Sequence, residues 1–154
     1  EHPDEKGLIH TSSTDIARFL AQNLMDEDER ILLAHGRYRM KAYSFHLSSD
    51  APTILISPSM TEGVDLRDDL ARFLVIAKAP FMSLGDLQTA KRAAIDDRWY
   101  KMHTLRQIIQ AAGRGNRSAD DYCVTYVLDD KVRELLEENE DVVPAWFWEA
   151  WEIV

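Results

Sequence analysis

The feature that most constrains this chain is Thr53-Ile-Leu-Ile-Ser57, a continuous apolar run bounded by Pro52 and Pro58. A strand with one wet face alternates apolar and polar residues, so a strand without a polar face needs cover on both sides. Arg72–Ala77 contains a second run of this kind, Phe-Leu-Val-Ile. Such strands belong to parallel sheets, whose crossover helices lie on both faces. The remaining pattern agrees. Lys6–Thr11 reads as a strand with Leu8 and Ile9 buried. Ser12, Ser13, Thr14 and Asp15 then offer N-cap chemistry, and Ile16, Phe19, Leu20 and Leu24 follow at helical spacing. Ile31–His35 reads as a strand ended by Gly36, and Tyr38–Leu47 as a helix. After Pro80 come helices over Asp86–Asp96 and Arg98–Gln110, a strand over Tyr122–Leu128, and a helix over Lys131–Asn139. Pro144–Trp151 reads as an aromatic helix. This order predicts an α/β fold with a mainly parallel central sheet, helices on both faces and right-handed crossovers. Ligands in such sheets gather beyond the carboxyl ends of the strands.

The 154 residues suffice for one domain with a real core. No repeat, linker or low-complexity segment divides them, so a single domain over 1–154 is expected. The chain does not begin with Met and reads as an excised domain. No apolar run approaches the roughly 20 residues that span a bilayer. Cys123 is the single cysteine, so neither an internal disulfide nor an iron–sulfur site can be built from this chain alone. That usage fits an intracellular setting. The five histidines show no metal-ligand spacing, and no metal site is expected. The formal charge of −9 argues against a generally basic nucleic-acid surface. Much of the acidity sits in Asp26-Glu-Asp-Glu29 and Glu137-Glu-Asn-Glu-Asp141, which read as solvated surface.

Three segments carry chemistry. Gln110-Ala-Ala-Gly-Arg-Gly-Asn-Arg117 places Gln110, Arg114 and Arg117 on one face of a helix, with Gly113 leaving room for close approach. Two guanidinium forks and an amide are suited to the terminal phosphates of a nucleotide. A solvated charged face has the same composition. Thr61-Glu-Gly-Val-Asp65 follows a buried strand. Thr61 and exposed amides there suit phosphate, and Asp65 suits a ribose hydroxyl or an arginine. A plain turn is the alternative. Ser12 and Ser13 sit at a helix N-terminus, where amides and dipole favour an anion, although simple capping accounts for the same residues. Trp99, Tyr100 and the aromatics at 146, 147, 148 and 151 could stack bases, or pack in the core or at a domain interface. No Gly-x-x-x-x-Gly-Lys-Ser/Thr occurs, so the chain has no phosphate-cradling loop of its own.

In combination these segments resemble superfamily 2 helicases. Gln110–Arg117 is similar to their motif VI, Q-x-x-G-R-x-x-R, and Ser59-Met-Thr-Glu-Gly-Val-Asp-Leu66 to their motif V. The Glu-Gly-Val-Asp form resembles the XPD/DinG branch, as do Val75-Ile-Ala-Lys-Ala-Pro-Phe81 and Leu105–Arg114. Lys6–Phe19 resembles the unit that opens the second motor domain of that branch. The resemblance implies a RecA-like three-layer α/β/α sandwich. It also implies an ATP-dependent DNA helicase, with links to DNA repair, in which ATP and Mg2+ are held mainly by a first RecA-like motor domain absent here. Arg117 would be the arginine finger, Arg114 a phosphate or cleft contact, and Gln110 a positioner of nucleotide and water. Glu62, Gly63, Asp65 and Gly113 would line the nucleotide side. Thr11, Ser12, Ser13 and Thr61 would contact single-stranded DNA. Any iron–sulfur cluster would belong to the first motor domain. Gly115-Asn116 departs from the bulkier pair usual between the two arginines. The alternative reading is a non-catalytic RecA-like module that binds protein or nucleic acid.

Overall fold

The computed structural model describes residues 1–58, 66, 68–113 and 121–153. Among these residues five strands form one sheet: β1 Gly7–His10, β2 Ile31–Leu33, β3 Ile54–Ser57, β4 Phe73–Ile76 and β5 Val124–Val127. Their order is β2-β3-β1-β4-β5, and every pairing is parallel. The helices are α1 Thr14–Leu24, α2 Arg39–Ser48, α3 Leu87–Ile95, α4 Asp97–Ala112, α5 Asp130–Glu138 and α6 Ala145–Glu149. All the expected strands and helices are present. Most strands are a residue or two shorter at each end than their apolar runs. α6 is the larger correction: it stops at Glu149, and Trp151 follows it outside the helix.

The continuous apolar runs are explained by cover on both faces. On one face, Ala17 and Ala21 of α1 pack with Ile31, Ile54, Ile56 and Phe73, flanked by Ile9 and Val75. On the other, Leu8, Leu55, Leu74 and Ile76 meet Leu105, Ile108 and Ala111 of α4 and Val132, Leu135 and Leu136 of α5. Phe147 closes this second layer, with Trp148 and Trp151 packed against it. Most of the C-terminal aromatics are therefore packing residues. β1 is central, and its two apolar residues divide between the layers. Leu8 is buried as expected, whereas Ile9, under the single helix α1, is only half-buried.

Two contacts fix how β1 enters the sheet. Lys6 Nζ donates to the carbonyls of His46 and Ser49, placing a cation on the otherwise unsatisfied carbonyls that end α2. His46, fully buried, donates from Nε2 to Leu70 O at 2.7 Å and receives Thr53 Oγ1 at Nδ1, also at 2.7 Å. A carbonyl only accepts, so this geometry fixes the neutral tautomer.

Gly7 pairs with Phe73 across the β1–β4 ladder, and the Phe73 ring lies where a Cβ on Gly7 would stand. His2 stacks on the same ring at 4.6 Å and 18°. Gly7→Ala should therefore destabilise the chain by about 1–3 kcal/mol through overpacking. The penalty should shrink when Phe73→Leu is introduced with it. Urea denaturation of the double-mutant cycle checks this, and additive effects would contradict the contact.

Candidate nucleotide and nucleic-acid interface

The crossover from β1 runs toward β2, while those from β3 and β4 run the other way. Connections diverge where β1 lies beside β4, and a crevice at the carboxyl ends of the strands results. The turn after β1, Thr11-Ser12-Ser13, stands at this point. Ala77 N donates to His10 O across it at 2.9 Å, and Thr11 N donates to Ser57 O at 3.1 Å.

The turn is held in an uncommon shape. Ser12 has φ of 57°, a left-handed conformation that costs a non-glycine residue on the order of 1–3 kcal/mol. Its hydroxyl donates to Lys78 O at 2.8 Å. Thr11 is fully buried, and its hydroxyl donates to Ser13 O at 2.9 Å. Thr11 thus shapes the turn from inside, leaving Ser12 and Ser13 half-buried at its surface. Ser13 occupies the N-cap position of α1 with extended backbone, yet its side chain makes no cap hydrogen bond. The first amides of α1, donors without intrahelical partners, thus receive no acceptor from the capping side chain.

His10 and Lys78 were not singled out from the sequence. Lys78 is exposed beside Ser12, and its membership of the Val75–Phe81 run was the available signal. His10 is 2% exposed, with Nε2 3.3 Å from Ser12 Oγ. Since the Ser12 proton goes to Lys78, Nε2 is the donor of that pair. Burial pushes the His10 pKa down to about 4, with the Ser57 backbone pulling weakly the other way.

At the opposite edge of the sheet, α4 carries the first part of the Gln110–Arg117 segment. Asp96 caps α4 by accepting from Trp99 N at 2.9 Å. Leu105, Ile108 and Ala111 are buried, so Gln110 is turned to solvent. Gly113 ends the helix with Trp146 beside it. The chain returns at Asp121, whose carboxylate accepts from Arg72 at 2.7 Å. Arg72 also pairs with Asp69 at 2.7 Å and lies 4.6 Å over the Tyr122 ring. Asp69 follows the Thr61–Asp65 segment and Asp121 follows Gln110–Arg117, so one guanidinium anchors the return of both. Its neighbouring carboxylates raise its pKa, Asp69 most strongly. Tyr100 stacks on Phe81 and donates to Met82 O, and Arg92 sits 4.0 Å over Trp99, so both aromatics are engaged within the chain. Thr61, Glu62, Gly63, Asp65, Arg114 and Arg117 lie outside the described residues.

The His10 geometry has a measurable consequence. Between about pH 6.5 and 4 the unfolded chain binds a proton that the folded chain refuses, so stability falls as pH drops through that window. The contribution is about 3 kcal/mol across it. His46, shifted down chiefly by burial, adds to the same trend. His10→Gln keeps a donor near the Nε2 position and removes the titration. Chemical denaturation from pH 7 to 4 should show a shallower acid loss in this variant, and an unchanged slope would contradict the assignment.

Among the described residues, no helix is long and apolar enough to cross a membrane. The helicase C-terminal domain model matches residues 4–150. The ATP-dependent DNA helicase CHL1 of Kluyveromyces lactis is 26% identical over 97 residues, covering 50% of this chain and 12% of that protein. The chain thus spans about an eighth of the curated relative it matches. The C-terminal domain of the DEAD-box protein Dbp5 superposes with a TM-score of 0.58 at 14% identity, over 95% of this chain and 78% of the other. A variant of that domain from S. cerevisiae, bound to a Gle1 variant and IP6, superposes with a TM-score of 0.56 at 14% identity, over 96% and 71%. These likenesses give a RecA-like fold, and the match over nearly the whole sequence gives the lineage: this chain belongs to the helicase C-terminal domain family.

Proposed function

We propose that this chain is the second motor domain of an ATP-dependent DNA helicase of the XPD/DinG type. In this reading residues 1–154 are a single motor domain, and ATP with Mg2+ is held chiefly by a first motor domain elsewhere in the same polypeptide. Arg117 reaches the γ-phosphate across the cleft, and Arg114 and Gln110 organise phosphate and water. Gly63, Asp65, Glu62 and Gly113 line the domain's side of the nucleotide. The observation that carries this is the orientation of α4: its core residues turn Gln110 outward just before the Arg114–Arg117 pair. Guanidinium groups presented across a cleft stabilise charge on a transferring phosphoryl group.

The strand-binding role falls at the other edge of the sheet. Ser12, Ser13 and the free first-turn amides of α1 form a small anion-accepting turn, with Lys78 beside it and Thr11 holding its shape. Thr61 joins this track from the segment after β3. Hydroxyls and amides grip a phosphodiester without a basic surface, which suits a chain of charge −9. Placing the strand at one edge and the nucleotide at the other lets closure on ATP change the hold on the strand. The parent protein works inside the cell on this reading, in DNA maintenance.

The test is Arg117→Ala in the polypeptide carrying both motor domains. ATP hydrolysis should fall by roughly 10³-fold or more, with circular dichroism unchanged. Near-normal DNA-stimulated hydrolysis would remove the finger assignment. Ser12→Ala with Ser13→Ala should weaken single-stranded DNA binding while leaving ATP binding intact.

A further inference from the structure

The exposed face of α4 does not end at Gln110. Trp99, His103, Arg106 and Gln110 follow one another at intervals of four, three and four residues, so they form one stripe along the helix. At the stripe's N-terminal end lies a cavity of about 300 Å³ lined by Asp96, Arg98, Trp99, Met102, His103 and Arg106. Its composition contrasts with the acidic chain around it: two arginines and a histidine stand round an apolar floor of Trp99 and Met102. Arg92 adds a third guanidinium over the Trp99 ring at 4.0 Å.

The cations differ in what they have to bind. Arg98 is paired with Asp141 at 3.1 Å. Arg106 is exposed and has no ion pair among the described residues. His103 Nδ1 is shielded from solvent and finds no hydrogen-bond partner among them. Arg106 and His103 lie one turn apart, so both reach the same side of the cavity. An oxyanion seated beside Arg106 would give this guanidinium the ion pair it lacks among the described residues.

We propose that this groove docks an acidic protein segment, with a carboxylate on Arg106 beside the His103 ring and an apolar side chain over Met102 and Trp99. Arginine and tryptophan are the residues that concentrate binding energy in protein interfaces. Ile95, beside the groove and 88% exposed, extends the apolar contact. Two observations favour a peptide over a nucleic-acid strand. Arg92 covers one face of Trp99, so a base cannot be sandwiched there, and the remaining contact surface is shared with the Met102 side chain rather than with a second stacked ring. Asp96, Asp97, Asp141 and Glu138 are interspersed with the cations, and they would repel a continuous phosphate backbone while leaving room for individually placed carboxylates.

The experiment uses this chain with a short fluorescein-labelled peptide of glycines and serines carrying one central leucine flanked by two glutamates, followed by fluorescence anisotropy at low salt. Saturable binding is expected, weakened roughly tenfold or more by Arg106→Glu and also weakened by His103→Ala. Lys41→Glu, an exposed charge reversal on α2, should leave it unchanged. Circular dichroism of each variant confirms the fold. Three results would each overturn the proposal: no saturable binding, binding indifferent to Arg106→Glu, or displacement of the peptide by oligothymidylate with the same dependence on Arg106.

Discussion

The structure depends on the double parallel pairing of β1. Gly7–His10 meets Ile54–Ser57 on one side and Phe73–Ile76 on the other, so both edges of this strand are taken and its side chains pack into the two layers. This central position requires the preceding segment to be stapled, which Lys6 does on the end of α2. It also requires the following turn to leave abruptly, which Ser12 does in a left-handed conformation. Because the crossovers diverge at β1, the crevice proposed for the nucleic-acid strand is a consequence of strand order. The serines occupy it because short polar side chains fit that turn.

The two edges of the sheet carry different groups. Parallel strands direct every β-to-α turn to one edge and every return to the other. The Ser12 turn and Lys78 share the first edge. Arg72, Asp69 and Asp121 share the second, where the two motif-bearing segments rejoin the sheet. Asp121 is only 1% exposed, whereas Arg72 keeps 15% and Asp69 93% of its side-chain surface, so the clamp runs from a buried carboxylate to an exposed one. Both returns are thereby held in fixed register with β4 and β5, independently of what the segments between them contact.

Much of this was legible in the sequence because burial on two faces leaves a clear signature. Ile54-Leu-Ile-Ser57 and Phe73-Leu-Val-Ile76 could be placed as interior strands from their lack of polar alternation, and the fold class followed. Strand ends were less legible, since Thr11 and His35 carry no stop signal of their own yet lie beyond the ends of β1 and β2. The candidate site was legible as motifs but not as geometry. The burial of Thr11, the proton held on His10 Nε2 and the strain at Ser12 arise from contacts with Ser57 and Lys78, far away in sequence. The Arg92–Trp99 stack joins two helices across a tight corner, which spacing along either helix does not reveal.

The central claim is that this chain is half of a composite nucleotide site. The most direct measurement is ATP hydrolysis by the separately purified first motor segment of the same polypeptide, titrated with this chain in the presence of single-stranded DNA. The account predicts background turnover from each alone and saturable stimulation when they are combined. Robust turnover by this chain alone, or combined rates no higher than the sum of the parts, would contradict it.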